Sequence, residues 1–250
     1  ACLAAAFPRA LDRYADTSLH HDLRQARPDR TSVVLTTGQP DFGSDLEQWQ
    51  QDMRPGALRE RYDSGLRVVA GRLPVDRSQS AYGVHTTETI EVPDPWLPRP
   101  SGWAPQVYLA AQHGLGDHAR LHAGRLPRTS GAPVTAASDR VEAVVTTETA
   151  EALHIEVGAV LHVPRVARAP LAVHITGVLA PRDPDGAYWA TQPVLRTPSL
   201  QRVPGPPGAD TDKYWLGALL LAPDAGPALL GTAGSPVRYW QFAPDADALH

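Results

Sequence analysis

Gly124-Arg125-Leu126-Pro127, Val141-Glu142-Ala143-Val144-Val145, Thr147-Glu148-Thr149-Ala150-Glu151-Ala152-Leu153, Val157-Gly158 and Ile175-Thr176-Gly177-Val178 follow one another within fifty-five residues. Each has a mechanical reading. Val141 to Val145 is a β-branched run that reads as a strand. Thr147 offers a capping hydroxyl, Ala150, Glu151 and Leu153 fill about two helical turns, and Gly158 ends the turn. Val160 to Val163 and Leu171 to Leu179 return as strands. The order spells a small structural module rather than an active site.

Working outward, Leu11, Tyr14, Ala15, Leu19 and Leu23 recur at three- and four-residue steps between Pro8 and Arg27, with Asp12, Arg13, Asp16, Asp22 and Arg24 between them. That spacing predicts an amphipathic helix closed by Pro28. Thr31 to Thr37 reads as a strand. Ser44 and Asp45 can cap a helix carrying Leu46, Trp49, Met53 and Leu58, broken or kinked at Pro55-Gly56, and Leu66 to Ala70 reads as the next strand. Helix, strand, helix, strand is an arrangement that needs a sheet to cover. Tyr82 to Val92 looks extended, and the prolines between Val92 and Pro105 exclude a helix interior or a central strand. Val107 to Ala111 reads as a strand, Pro181 to Pro207 as irregular, and Tyr214 to Leu221 and Val237 to Phe242 as strands. Gly-Arg-Leu-Pro recurs at Gly71 and Gly124, and Thr-Thr-Glu-Thr at Thr86 and Thr146. Their unequal intervals read as coincidence, because true repeats keep a fixed period.

The 250 residues carry 23 basic and 27 acidic side chains, so electrostatics announces no nucleic acid or other polyanion. Cys2 is the single cysteine, which rules out an internal disulfide framework. No run reaches the eighteen or so apolar residues of a membrane-spanning helix. The apolar start, Ala1 to Phe7, reads either as the outer stump of a transmembrane helix or as an ordinary terminus or signal remnant.

Several constellations invite chemistry. His113, Asp117, His118 and His122 suggest a metal site, since His118 and His122 would share a face of a continuous helix. Gly114, Gly116 and Gly124 shorten any such helix, and His154, His162 and His174 lack a paired-ligand spacing. His20-His21 would diverge by about 100° on a helix. Asp183 and Asp185 in Arg182-Asp183-Pro184-Asp185-Gly186 could be a carboxylate pair or a Ca²⁺ loop, but the Pro and Gly spacing matches a turn. Nucleophile elbows and phosphate-binding loops are absent from the sequence. The pairs Tyr188-Trp189, Tyr214-Trp215 and Tyr239-Trp240 predict one buried and one exposed ring each, if extended. No residue is assigned as catalytic, cofactor-binding or metal-ligating, and no cofactor is expected.

The motif order resembles the extracytoplasmic core domain of FtsX-like, MacB-type ABC transporter permeases. In that family a Gly-Arg-x-Pro turn precedes a strand, a short helix, a Val-Gly turn and an Ile-x-Gly-Val strand. A similar Pro-Arg-Asp-Pro-x-x-x-Tyr-Trp segment then follows, here Pro181 to Trp189. His154 stands where the family often has glycine. The resemblance implies an α+β fold, a mixed sheet with packed helices in two subdomains. Residues 1–110 and 186–250 would form a membrane-proximal part, with residues 111–185 inserted as a smaller β-rich part. It implies a non-enzymatic domain on the extracellular side of the cell membrane, between two transmembrane helices. Its partners would be a cytoplasmic ATPase, a second permease copy, and a lipid, lipoprotein or peptide substrate. The rival readings are a secreted metal-dependent or carbohydrate-active enzyme and a free-standing extracellular binding module.

Overall fold

The structure of the protein is a computed structural model that describes residues 28–37, 45–129, 131–190, 192–203, 212–245 and 248. Cys2, the expected helix over Pro8 to Arg27, the His20-His21 pair and Ser44 lie outside the described residues. In chain order the elements are α1 (Pro28–Thr31), β1 (Val33–Thr36), α2 (Leu46–Asp52), α3 (Pro55–Ala70), β2 (Val75–Thr86), β3 (Ile90–Glu91) and β4 (Gln106–Gln112). There follow α4 (Leu115–His118), β5 (Ala119–Gly124), β6 (Arg140–Thr146), α5 (Thr147–Leu153), β7 (Val160–Arg165) and β8 (Arg168–Pro181). The last are α6 (Ala187–Ala190), a 3₁₀ turn over Pro193–Leu195, β9 (Ser199–Arg202), β10 (Lys213–Leu221), a second 3₁₀ segment over Pro223–Gly231 and β11 (Pro236–Pro244). The class is α+β, as expected.

Local chemistry explains the two adjacent helices. Asp45 caps α2, its carboxylate accepting the Glu47 amide at 2.9 Å. Pro55 occupies the first turn of α3, where its missing N–H costs no hydrogen bond. Leu58, Tyr62 and Leu66 then bury one face at four-residue steps. That stripe overrides the β-branched Val68-Val69 pair, so residues 66–70, expected as a strand, are the last turns of α3. The segment from Pro181 to Pro207, expected to be irregular, holds α6, a 3₁₀ turn and β9.

Among the described residues eleven strands form one mixed sheet in the order β1-β11-β2-β4-β10-β6-β8-β5, with β3 on β4, β7 on β8 and β9 on β10. Strands from residues 33–112 and 213–244 lie together, and those from 119–181 lie together. The two groups meet where β10 pairs β6 through Leu220↔Val144 and Leu221↔Ala143. One face packs Val84, Leu109, Leu219 and Phe242 under α2, α3, α5 and the second 3₁₀ segment, with Leu58, Leu66 and Leu153 pointing down onto it. The opposite face packs Ala81, Ala110, Leu220 and Tyr239 under α4, α6 and the first 3₁₀ turn, with Leu115, Tyr188, Trp189 and Leu195 pointing down onto it. A sheet covered on both sides needs no polar alternation, which is why β11 is buried from Pro236 to Ala243.

The ends of the sheet are defined by register. Val33, at the start of β1, faces Phe242, near the end of β11, and Thr36 faces Tyr239. Chain arriving at β1 and chain leaving β11 are therefore neighbours. The Asp245 amide, just past β11, donates to the carbonyl of Pro74, just before β2.

Candidate functional site

The sequence motifs converge on one junction. β8 carries a bulge at Thr176, where Ala143 pairs with Ile175 but Val144 pairs with Gly177. On its other side Gly177 pairs with Gly124, the last residue of β5. Gly124 has φ +73°, a left-handed conformation that glycine adopts without a Cβ penalty. There the chain leaves the ladder, with the Arg125 amide donating to the Thr176 carbonyl at 2.8 Å. The Thr176 hydroxyl donates to the carbonyl of Arg125 (3.2 Å) or that of Ala143 (3.3 Å), which both lie in reach of the bulge.

Arg125 then crosses β8 and forks onto Glu142 of β6, both N···O distances being 2.6 Å. Glu142 also accepts the Arg128 amide at 2.9 Å. The Gly-Arg-Leu-Pro segment is thus a strap over three strands. Pro127, its last residue, is buried. At the other copy, Gly71 to Pro74 follows the C-terminus of α3 and its arginine makes no such fork among the described residues, so the repeat is one of sequence and not of structure.

The fork, foremost among its causes, holds the Glu142 carboxyl down at about 2, from an ordinary 4.5. A carboxyl whose folded value is depressed adds stability in full above its unfolded value and loses it as pH falls towards the folded one. Stability measured by urea unfolding should therefore fall more steeply between pH about 4.5 and about 2 in the native chain than in Glu142→Gln. Parallel profiles would deny the strap any part in acid stability.

Strand β6 runs directly into α5, and the cap is Thr146 rather than the expected Thr147. An N-cap needs extended dihedrals; Thr146 has them (φ −76°, ψ 161°), whereas Thr147 is already helical. The Thr146 oxygen accepts the Thr149 amide at 3.2 Å, and its proton reaches the Arg196 carbonyl at 2.6 Å. The helix ends at His154, and Gly158 (φ +98°) lies in the turn that follows, before β7. His154 is left-handed (φ 54°, ψ 39°), and the Ile155 amide donates back to Ala150. The imidazole occupies the αL position that glycine fills at lowest cost.

The histidines weighed as a metal site and left unassigned are not brought together. α4 ends at His118, so His122 lies exposed on β5 and shares no helix face with it. His113 stacks on Tyr82 at 4.6 Å and His118 on Tyr188 at 3.6 Å, and burial lowers the pKa of both rings. Asp117 is exposed beside them. His174 pairs with Glu142 across β6–β8 and with Val160 across β7–β8. Among the described residues no group of three or more His, Cys, Asp or Glu is placed to hold a metal ion. Asp183 and Asp185 lie in a turn closed by the Gly186 amide on the Asp183 carbonyl at 3.2 Å, and Asp185 reaches Arg196 at 3.2 Å.

None of the three aromatic pairs splits into one buried and one exposed ring. Tyr188 and Trp189 are both buried because they lie on α6, not on a strand; Trp189 donates to the His118 carbonyl at 3.1 Å and Tyr188 to that of His113 at 2.8 Å. Tyr239 and Trp240 are both buried because β11 is covered on both faces, and burial pushes the Tyr239 phenol well above its ordinary pKa. Tyr214 and Trp215 on β10 are each half-buried. The pattern also hid a dyad. Asp94, buried in the proline-rich crossing, accepts both the His162 amide at 2.8 Å and its Nδ1–H at 2.7 Å, which ties the crossing to β7.

Neither a protein-family model nor a curated protein matches the chain. Among solved structures it is similar to a crystallised domain of a protein described as a permease from Porphyromonas gingivalis. The identity is 15%, the TM-score is 0.30, and the alignment covers 87% of this chain and 76% of that one. Likeness at that level leaves function to be argued from this chain's own residues.

Proposed function

We propose that this chain is a non-catalytic extracytoplasmic domain of an FtsX-like, MacB-type ABC transporter permease. In this role it transmits ATP-driven movement of transmembrane helices to a lipid, lipoprotein or peptide, or to a cell-envelope partner. The movement originates in a cytoplasmic ATPase, and a second permease copy completes the membrane part. The observation that carries the reading is the pairing of Val33 with Phe242. A domain driven by two membrane helices needs its incoming and outgoing chain side by side, and here they are hydrogen-bonded neighbours. Displacement of one strand is then handed to the next through a continuous ladder. The motifs that carry the family resemblance serve the strap, the bulge and the α5 cap, which suits a part that moves as a rigid body. No helix among the described residues is long and apolar enough to cross a membrane, so under this reading the spans lie in other segments of the gene product.

The test is topological. Val166, 67% exposed at the β7–β8 hairpin, is changed to cysteine in the whole gene product, and intact cells are treated with a membrane-impermeant maleimide. Labelling of Val166→Cys in intact cells, with the protein in the membrane fraction, is the expected result. Labelling only after lysis, or recovery of the protein free in the medium, would sink the proposal; the second result would favour the secreted enzyme or binding module.

A further inference from the structure

A pocket of about 300 Å³ opens between the sheet and the first 3₁₀ turn, lined by His85, Thr86, Thr87, Tyr108, Gln192 and Val194. Its floor is set by register. His85 on β2 pairs with Ala110 on β4, so Tyr108, two residues along, lies diagonally beside His85 on the same face. Its wall is Gln192, which precedes the 3₁₀ turn, and Val194 within it, held down by the buried Leu195.

The chemistry of the lining is narrow. Among the described residues it holds no carboxylate, ammonium or guanidinium. The imidazole Nδ1 lies 2.9 Å from the Thr86 carbonyl, an acceptor only, so the proton is on Nδ1 and Nε2 keeps its lone pair. Burial lowers the pKa of His85, which keeps the ring neutral at neutral pH. The Thr87 hydroxyl gives its proton to the Ser235 carbonyl at 2.9 Å and so offers acceptor lone pairs. The Gln192 amide and the Tyr108 phenol carry no other hydrogen bond among the described residues and present both donors and acceptors.

We propose that this pocket binds one ring of a neutral saccharide, stacked on Tyr108, its hydroxyls shared among His85, Thr87 and Gln192. A charged ligand would be desolvated without a counter-charge. A wholly apolar one would leave these acceptors and the amide unpaired. At about 300 Å³ the site is at the small end of ligand pockets, enough for a single ring. The assignment is independent of the permease reading: a domain of either topology could carry it, and the binding assay leaves the labelling result untouched.

The test is a titration of the isotope-labelled 250-residue chain, followed through its amide resonances, with N-acetylglucosamine and methyl glucoside as neutral probes. Glucuronate serves as the charged control and cyclohexanol as the apolar one. Saturable shifts confined to residues 85–87, 108 and 192–194 are expected for the neutral saccharides. Removal of one neutral hydrogen bond, by Gln192→Ala or Thr87→Val, should weaken binding about fivefold. Both changes lie at the pocket rim or remove one oxygen, so the spectrum reports independently that each variant is folded. Absence of shifts up to about 100 mM saccharide overturns the proposal. So do stronger shifts with glucuronate or cyclohexanol, and so does binding that neither variant weakens.

Discussion

Gly177→Ala is expected to destabilise the protein by at least about 3 kcal/mol, a large share of the roughly 5–15 kcal/mol by which folded domains exceed their unfolded state. A Cβ at position 177 would fall 2.5 Å from the carbonyl oxygen of Arg125 and 2.9 Å from that of Ala123. Both are backbone atoms, so no side-chain rotation relieves the overlap, and β5 must part from β8. Gly124→Ala meets the same wall from the other side: its Cβ would lie 2.2 Å from the Thr176 carbonyl oxygen, at a φ that alanine adopts reluctantly. Because the two glycines face one another, the first substitution opens the space that the second would fill. The double variant should therefore lose clearly less than the sum of the singles. Gly56→Ala in the first turn of α3, with nothing within 4 Å of its Cβ, should be neutral or gain up to about 1 kcal/mol. Urea unfolding followed by tryptophan fluorescence measures all four variants; a loss below about 1 kcal/mol at Gly177 would show that the strap is not closely seated.

That pairing also shows what a sequence can and cannot reveal. Val141 to Val145 and Leu171 to Leu179 were legible as strands because they are rich in β-branched residues, with half-buried Glu142, His174 and Thr176 set between buried Val141, Ala143, Val173 and Ile175, whereas β11 is covered on both faces. That covering defeated the alternation rule at Tyr239-Trp240, where neither ring meets water. Residues 66–70 misled because Val68 and Val69 favour strands locally, whereas burial of Leu58, Tyr62 and Leu66 is decided by what α3 packs against. Gly124 and Gly177 could each be seen as turn or bulge candidates, but nothing local states that they face each other across fifty-three positions. The pocket at His85 was invisible for a related reason. Its residues come from β2, β4 and the turn after α6, and only the registers of the sheet bring them together.

The second large effect is expected where α2 docks on β11. Arg238 is a charged residue in the middle of a buried strand, and its guanidinium donates to Asp52 at 2.6 Å, lies 5.2 Å over the Trp49 ring and reaches Thr37 at 3.3 Å. With only 8% of the Arg238 side chain exposed, the charge depends on these partners. Asp52→Ala removes the sole carboxylate among them and leaves the cation with a ring face and a hydroxyl. The expected cost is about 2–4 kcal/mol, below the loss at a fully enclosed pair because Asp52 is itself 21% exposed and Trp49 keeps part of the attraction. Arg61, 55% exposed and 3.6 Å from the same carboxylate, should contribute less than about 1 kcal/mol when changed to alanine. The contrast separates a buried requirement from a solvated contact. If Asp52→Ala and Arg61→Ala lose stability equally in urea unfolding, Arg238 finds its compensation elsewhere and α2 is held by apolar contacts alone. If the expected order holds, the charge network helps fix α2 against β11, next to the place where β1 and β11 run side by side. Under the permease reading this is the region through which force enters the domain.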